Sequence, residues 1–252
     1  MENYTLTGTY TLPSLGKVYG DRKINPEITL RSMTTEEEMR RLNPSDRPYK
    51  IIADIIDACL VDNPGISAYD MCVGDYQFLL HKLRVVTYGS EYSLSTTCPY
   101  CGSTNTDKVN LEQMVVFTYD DDVQKYLSLD LPRTNHHITL KMQTPRMLDD
   151  ISVRAKELRK KSPNMNADPA FLLSIEYLID EIDGEKYDAV KKSEFVRKLP
   201  MMDTNYILSY AQKLNERLGL DTTLHKTCDV CGLNYQSSFR TTSEFFRPSI
   251  DI

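Results

Sequence analysis

Four cysteines fall into two identical spacings, Thr97-Cys98-Pro99-Tyr100-Cys101-Gly102 and Thr227-Cys228-Asp229-Val230-Cys231-Gly232. Two intervening residues let both sulfurs of a pair point to one side of a tight turn. The glycine that follows permits a backbone in which nearby amides donate to the thiolates. Each turn supplies two ligands, and a structural zinc takes four in a tetrahedron. The spacing therefore predicts one Zn²⁺ held by Cys98, Cys101, Cys228 and Cys231. With thiolates in all four positions no open site is left for a catalytic water, so the metal is expected to be structural. Residues 102 to 227 lie between the pairs, whereas an ordinary zinc ribbon has a gap of about 15–20 residues. The expectation is a ribbon split by an insertion, whose halves meet at the metal.

Other chemistry is poorly supported. A thioredoxin-type dithiol should open a helix after a buried strand, but Gly102-Ser103-Thr104-Asn105 and Gly232-Leu233-Asn234-Tyr235 read as turns returning into strands. His225, three residues before Cys228, is a substitute ligand by position and reads more simply as a strand-face histidine. His136 and His137 point to opposite faces of an expected strand, an arrangement ill-suited to one ion. Asp120-Asp121-Asp122 reads as a solvated loop, with a weak divalent cation as the alternative. Cys59 and Cys72 sit among apolar neighbours without a second cysteine at ligand spacing, and are expected to be core thiols. There is no Gly-rich phosphate loop, G-x-S-x-G elbow or H-E-x-x-H. No catalytic residues are assigned, and the chain is not expected to be an enzyme.

The elements that must position these turns follow from periodicity. Tyr4 to Leu30 reads as short strands joined by a turn at Pro13-Ser14-Leu15-Gly16. Met33-Thr34-Thr35-Glu36-Glu37-Glu38 opens a helix, with a threonine cap and glutamates in a solvated first turn. Tyr49 to Val61 and Asp75 to Tyr88 repeat apolar residues near the helical period, and Gly89 is placed to end the second. Strand character begins at Glu91 and recurs at His136 to Gln143 and Thr222 to Thr227. Helices are predicted over Pro145 to Lys161, where Arg159-Lys160-Lys161 suits the C-terminal dipole. Two more are predicted over Pro169 to Ile182 and over Asp203 to Leu218, the last with Asp203 as cap.

The fold class expected is α+β: a helical N-terminal part, a split zinc-ribbon-like β-module, and a helical insertion between the two Cys-x-x-Cys turns. The domains are an N-terminal hairpin and helical region over 1–90, the β-module over 91–144 plus 220–247, and the insertion over 145–219. A formal net charge of −6 disfavours a general phosphate binder. No segment is apolar over the roughly 20 residues a bilayer needs. The N-terminal run lacks the basic-then-apolar order of a signal peptide. Six cysteines in a reducing cytoplasm are then expected as thiols or metal ligands.

Several blocks, in order, resemble one family. Leu12-Pro13-Ser14-Leu15-Gly16-Lys17-Val18-Tyr19 is followed by Ile28-Thr29-Leu30-Arg31-Ser32-Met33-Thr34-Thr35-Glu36-Glu37-Glu38. Then come Val73-Gly74-Asp75-Tyr76-Gln77-Phe78-Leu79-Leu80, Leu83-Arg84, Thr87-Tyr88-Gly89 and the first cysteine turn. Together they resemble the opening of the T-even-like bacteriophage baseplate hub proteins. The C-terminal half matches less clearly, beyond its Cys-x-x-Cys and Phe245-Phe246-Arg247-Pro248. Tyr76 stands where that pattern has an arginine. The resemblance implies a hub component or hub assembly factor of a contractile tail. Its partners would be other baseplate hub proteins and the tape-measure protein; no membrane partner is expected, and the acidic balance disfavours nucleic acid. Its place would be the host cytoplasm during assembly, with the virion tail baseplate as a further location. The alternative is a zinc-ribbon nucleic-acid-binding or transcription-regulatory module, which the acidic balance disfavours.

Overall fold

Alternating apolar residues at Tyr10, Leu12, Ile28 and Leu30 give the first hairpin its inward face. In the computed structural model, which describes residues 5–162, 167–239 and 243–246, β1 (Thr7–Thr11) pairs antiparallel with β2 (Glu27–Arg31), from Thr7↔Arg31 to Thr11↔Glu27. Tyr4, at the start of the expected strand, lies outside the described residues. The turn expected at Pro13–Gly16 forms, with Leu15 and Gly16 at φ 52 and 72.

Helix α1 (Thr35–Arg41) starts after Thr34. Its glutamates are not all solvated, contrary to expectation. Glu37 is buried, accepts the Thr34 N–H at 2.8 Å and pairs with Arg31 Nη2 at 2.7 Å. The Arg31 hydrogen bond, with those from Thr34, outweighs burial and holds its carboxyl at about 2. The apolar stripes of α2 (Pro48–Cys59) and α3 (Val73–Tyr88) close on the hairpin. They form a first core that includes Leu12, Ile28, Leu30, Ile56, Leu79 and Leu83. Cys59 belongs to that core, and Cys72 is also fully buried, both as free thiols. Gly89 ends α3 with φ 86, a conformation glycine adopts without strain.

From here β3 (Glu91–Thr97) and β4 (Thr104–Asn110) form one isolated hairpin, in register from Glu91↔Asn110 to Thr97↔Thr104. Strand β5 (Val116–Phe117) follows. The Asp120–Asp122 run is then a helix start rather than a loop: the Asp120 carboxylate caps the Val123 N–H of α4 (Asp121–Lys125).

Strands β6 (Ser128–Asp130) and β7 (His137–Leu140) precede α5 (Pro145–Lys161) and α6 (Pro169–Leu178). The helix expected to reach Ile182 stops at Leu178. Ile179–Ile182 is strand β8, paired with β7 at Ile138↔Ile182, Thr139↔Glu181 and Leu140↔Ile179. Two β-branched residues, Ile179 and Ile182, begin and end the four-residue run, and Asp183-Gly184 turns after it with φ 53 and 81. Asp-Gly after such a run is a hairpin turn in sequence terms, and it overrides the helical period. Helices α7 (Ala189–Lys198) and α8 (Met201–Glu216) complete a second core with Leu129, Ile138, Ile175, Ile179 and Ile207. Residues 128–140 thus pack with these helices.

Asp203 does not cap α8, which begins after Pro200. It is fully buried and instead accepts from the N–H groups of Arg133 and Thr134 and from Thr134 Oγ1. The chain returns through β9 (Gly219–Leu220), paired with β5, into the hairpin β10 (Thr223–Thr227) and β11 (Asn234–Ser238). Beyond β11, Phe239, Phe245 and Phe246 rejoin the first core, where Arg84 Nε donates to the Phe245 carbonyl at 3.0 Å. Arg247 and Pro248 lie outside the described residues. Among the described residues no helix is long and apolar enough to cross a membrane.

Candidate metal centre

The cysteine turns occupy the tips of two hairpins built alike. Each is a tight loop closed by the same backbone hydrogen bonds. Cys98 N donates to Ser103 O at 2.8 Å and Gly102 N to Cys98 O at 2.9 Å. In the second turn, Cys228 N donates to Leu233 O at 3.0 Å and Gly232 N to Cys228 O at 2.9 Å. Gly102 and Gly232 have φ of 73 and 72, with open space where a Cβ would stand. The glycines are needed for the left-handed backbone rather than for room.

The tips meet sulfur to sulfur. Cys98 Sγ lies 3.8 Å from Cys231 Sγ and Cys101 Sγ 3.6 Å from Cys228 Sγ, and all four sulfurs lie within 4.8 Å of one another. The first cysteine of each turn therefore faces the second of the other. Cys98 and Cys228 are buried, while Cys101 and Cys231 are exposed. Among the described residues this is the one cluster of three or more histidine, cysteine or acidic side chains whose ligand atoms converge. Zinc–sulfur bonds of about 2.3 Å place tetrahedral ligands about 3.8 Å apart. The two cross-turn spacings, 3.8 and 3.6 Å, match that separation.

Polar groups absent from the expected ligand set surround the sulfurs. Ser103 Oγ lies 3.0 Å from Cys101 Sγ and 3.1 Å from Cys228 Sγ, bridging the two turns. The Ser103 hydroxyl, followed by the backbone amides of Cys231 and Val230, pulls the Cys228 thiol below its usual range, while at Cys231 the Leu233 amide is outweighed by desolvation and the neighbouring sulfurs, which push that thiol up. Asn105 Nδ2 approaches Cys228 Sγ at 3.8 Å and donates to Tyr235 Oη at 3.1 Å, and Asn105 Oδ1 accepts from Asp229 N at 2.9 Å. Thr96 Oγ1 meets Tyr235 Oη at 2.7 Å. At the rim, Lys226 Nζ pairs with Asp107 at 3.0 Å across the hairpins. Asn105 and Tyr235 each stand four residues after the second cysteine of their own turn. That shared offset is the one trace of their role in the sequence.

The remaining candidates lie apart. His225 faces Gln236 in the β10–β11 register and is not among the converging ligands. His136 Nδ1 pairs with Asp183 and His137 Nδ1 with Asp130, so the two imidazoles face different carboxylates. Asp122 is tied to Lys125 and Arg217.

A family model described as T4 bacteriophage base plate protein matches residues 1–247. No curated protein and no solved structure matches the chain.

Proposed function

Because the chain belongs to the T4 bacteriophage base plate protein family, we propose that it serves the baseplate hub, as a hub component or hub assembly factor without enzymatic activity. The family match over nearly the whole chain is the observation that carries this reading, and a structural role in the baseplate follows from the family itself. The hub assignment rests on the ordered blocks from Leu12 to Cys101 that resemble the hub proteins.

In the same reading a structural zinc joins the two cysteine hairpins into a zinc-ribbon-like module. Four thiols within 4.8 Å of one another support it, and thiolate ligands suit zinc. When bound, the ion supplies a cross-link between strands far apart in sequence. Cys98 and Cys101 would hold it from one hairpin, Cys228 and Cys231 from the other. With four protein ligands the centre offers no position to a substrate, in keeping with a scaffold role.

A baseplate protein works by contact with other tail and baseplate components. The partners proposed here are the other hub proteins and the tape-measure protein, met in the host cytoplasm during assembly. Co-expression with those proteins, followed by affinity capture through a high-salt wash, tests the reading. A complex that survives the wash is the expected result, since apolar burial is not weakened by salt as phosphate contacts are. A gel shift on the same preparation should show no binding tighter than about 10⁻⁵ M, the strength of ordinary non-specific association. Tight, sequence-dependent DNA binding with no hub partner recovered would overturn it.

A further inference from the structure

The geometry points to Asn105 as the positioning residue of the metal centre, the group that holds the second cysteine turn in place against the first. This rests on the reading that the four cysteines hold a metal.

Each hairpin is a separate two-stranded sheet, so no backbone ladder sets one against the other. Asn105, on β4, uses its whole amide to do so. Its oxygen takes the Asp229 N–H, next to Cys228, and its nitrogen serves Tyr235 Oη and Cys228 Sγ. Tyr235 is then held from the first hairpin a second time by Thr96 Oγ1. Asn105, Thr96 and Tyr235 are all buried. A buried amide that loses its partners carries the full desolvation cost, so a slipped register of the two hairpins is penalised. Because these contacts are all between protein groups, they bring the sulfurs together without relying on the ion. The two hairpins contribute unlike side chains at the same offset from their cysteines. A short amide and a long phenol fit end to end, where two of either would clash or leave a gap.

The test uses the full chain, with Co²⁺ as a spectroscopic stand-in and Zn²⁺ affinity measured by chelator competition. Asn105→Asp keeps an oxygen for Asp229 N–H but replaces the N–H donor to Tyr235 Oη and Cys228 Sγ with a carboxylate oxygen. Asn105→Ala removes all three contacts. Tyr235→Phe keeps the buried ring and loses only the hydroxyl, so it decides the question if Asn105→Ala does not fold. The expected result is a Zn²⁺ affinity lowered about tenfold or more in the Asn105 variants, the scale on which groups behind metal ligands act. Tyr235→Phe is expected to lose affinity in the same direction. The cobalt–thiolate absorption should change with them while the helical circular dichroism persists. A residue that merely stabilised the fold would lower the melting temperature and leave the cobalt spectrum alone. Affinities within twofold of the parent chain and an unchanged spectrum would overturn this inference and leave the metal reading standing. Absence of a cobalt–thiolate band from the parent chain would overturn both.

Discussion

Gly74 and Gly219 meet backbone to backbone. A Cβ added to Gly74 would lie 2.4 Å from the Leu218 carbonyl oxygen, and one added to Gly219 would lie 2.8 Å from Gly74 Cα. This contact joins the first turn of α3 to the segment that carries the chain out of the second core towards β10. Gly219 also has φ 108, which disfavours any side chain.

The first prediction concerns that contact. Gly74→Ala should cost about 1–3 kcal/mol, the range for overpacking a site whose neighbour is backbone and cannot rotate away. Chemical denaturation of parent and variant measures it. A loss below about 0.5 kcal/mol, ordinary for surface substitutions, would mean the two segments separate freely.

Metal stoichiometry gives the second. Protein purified without added metal should contain one zinc per chain by elemental analysis. Cys98→Ser and Cys228→Ser should each lower occupancy to a similar extent, because their sulfurs belong to one cluster. Each loss should destabilise by several kcal/mol, of the order of 5, since binding energy at a structural site is folding energy. If one variant kept full zinc and stability, the two turns would be independent sites.

A third prediction follows from His81. Its ring is buried between Phe239 and Phe245, with Nδ1 against the Gln77 carbonyl and Nε2 without a hydrogen-bond partner among the described residues. Burial pushes its pKa down from 6.5 to about 4. Between those values the unfolded chain takes up a proton that the folded chain refuses, so stability falls as pH drops from about 6.5 to about 4. The full effect is about 3 kcal/mol, at 1.36 kcal/mol per unit. His81→Phe should remove it. Unfolding curves of parent and variant at pH 7 and pH 4.5 isolate the contribution as the difference between them, and equal pH dependence would refute it.

Asp203 supplies the fourth. Replacing it with alanine removes the buried carboxylate that the N–H groups of Arg133 and Thr134 donate to. We expect a loss of about 1–3 kcal/mol, from two part-buried hydrogen bonds at roughly 0.5–1.5 kcal/mol each. Asp203→Asn keeps one acceptor oxygen and should lose less. Urea denaturation distinguishes the two, and equal losses would point to packing rather than hydrogen bonding.

Much of this architecture is local and therefore legible in the chain. The stripes of Ile51 to Leu60 and Phe78 to Val86 specify α2 and α3, because a helix exposes its period in any apolar pattern. The two Cys-x-x-Cys-Gly turns are equally local: two-residue spacing and a following glycine fix each tip before any tertiary contact forms. Asp-Gly at 183–184 was also legible. It marks the end of β8, and the apolar period of Pro169 to Ile182 masks it.

Other features depend on what lies opposite, and no spacing reveals that. Glu37 belongs to an acidic run that reads as solvated, and only the approach of Arg31 from β2 makes it a buried partner. Asp203 has the position of a helix cap, yet the loop at Arg133–Thr134 claims its carboxylate. Asn105 is an ordinary strand residue until Tyr235 and Asp229 arrive from the far end of the chain. The sequence by itself determined which side chains could bind a metal, since ligand chemistry and turn geometry are properties of a few adjacent residues. Tertiary structure alone decided which sulfurs face one another across the two turns and which groups stand behind them. Long-range hydrogen bonds choose their partners by burial and position, and neither is written in local order.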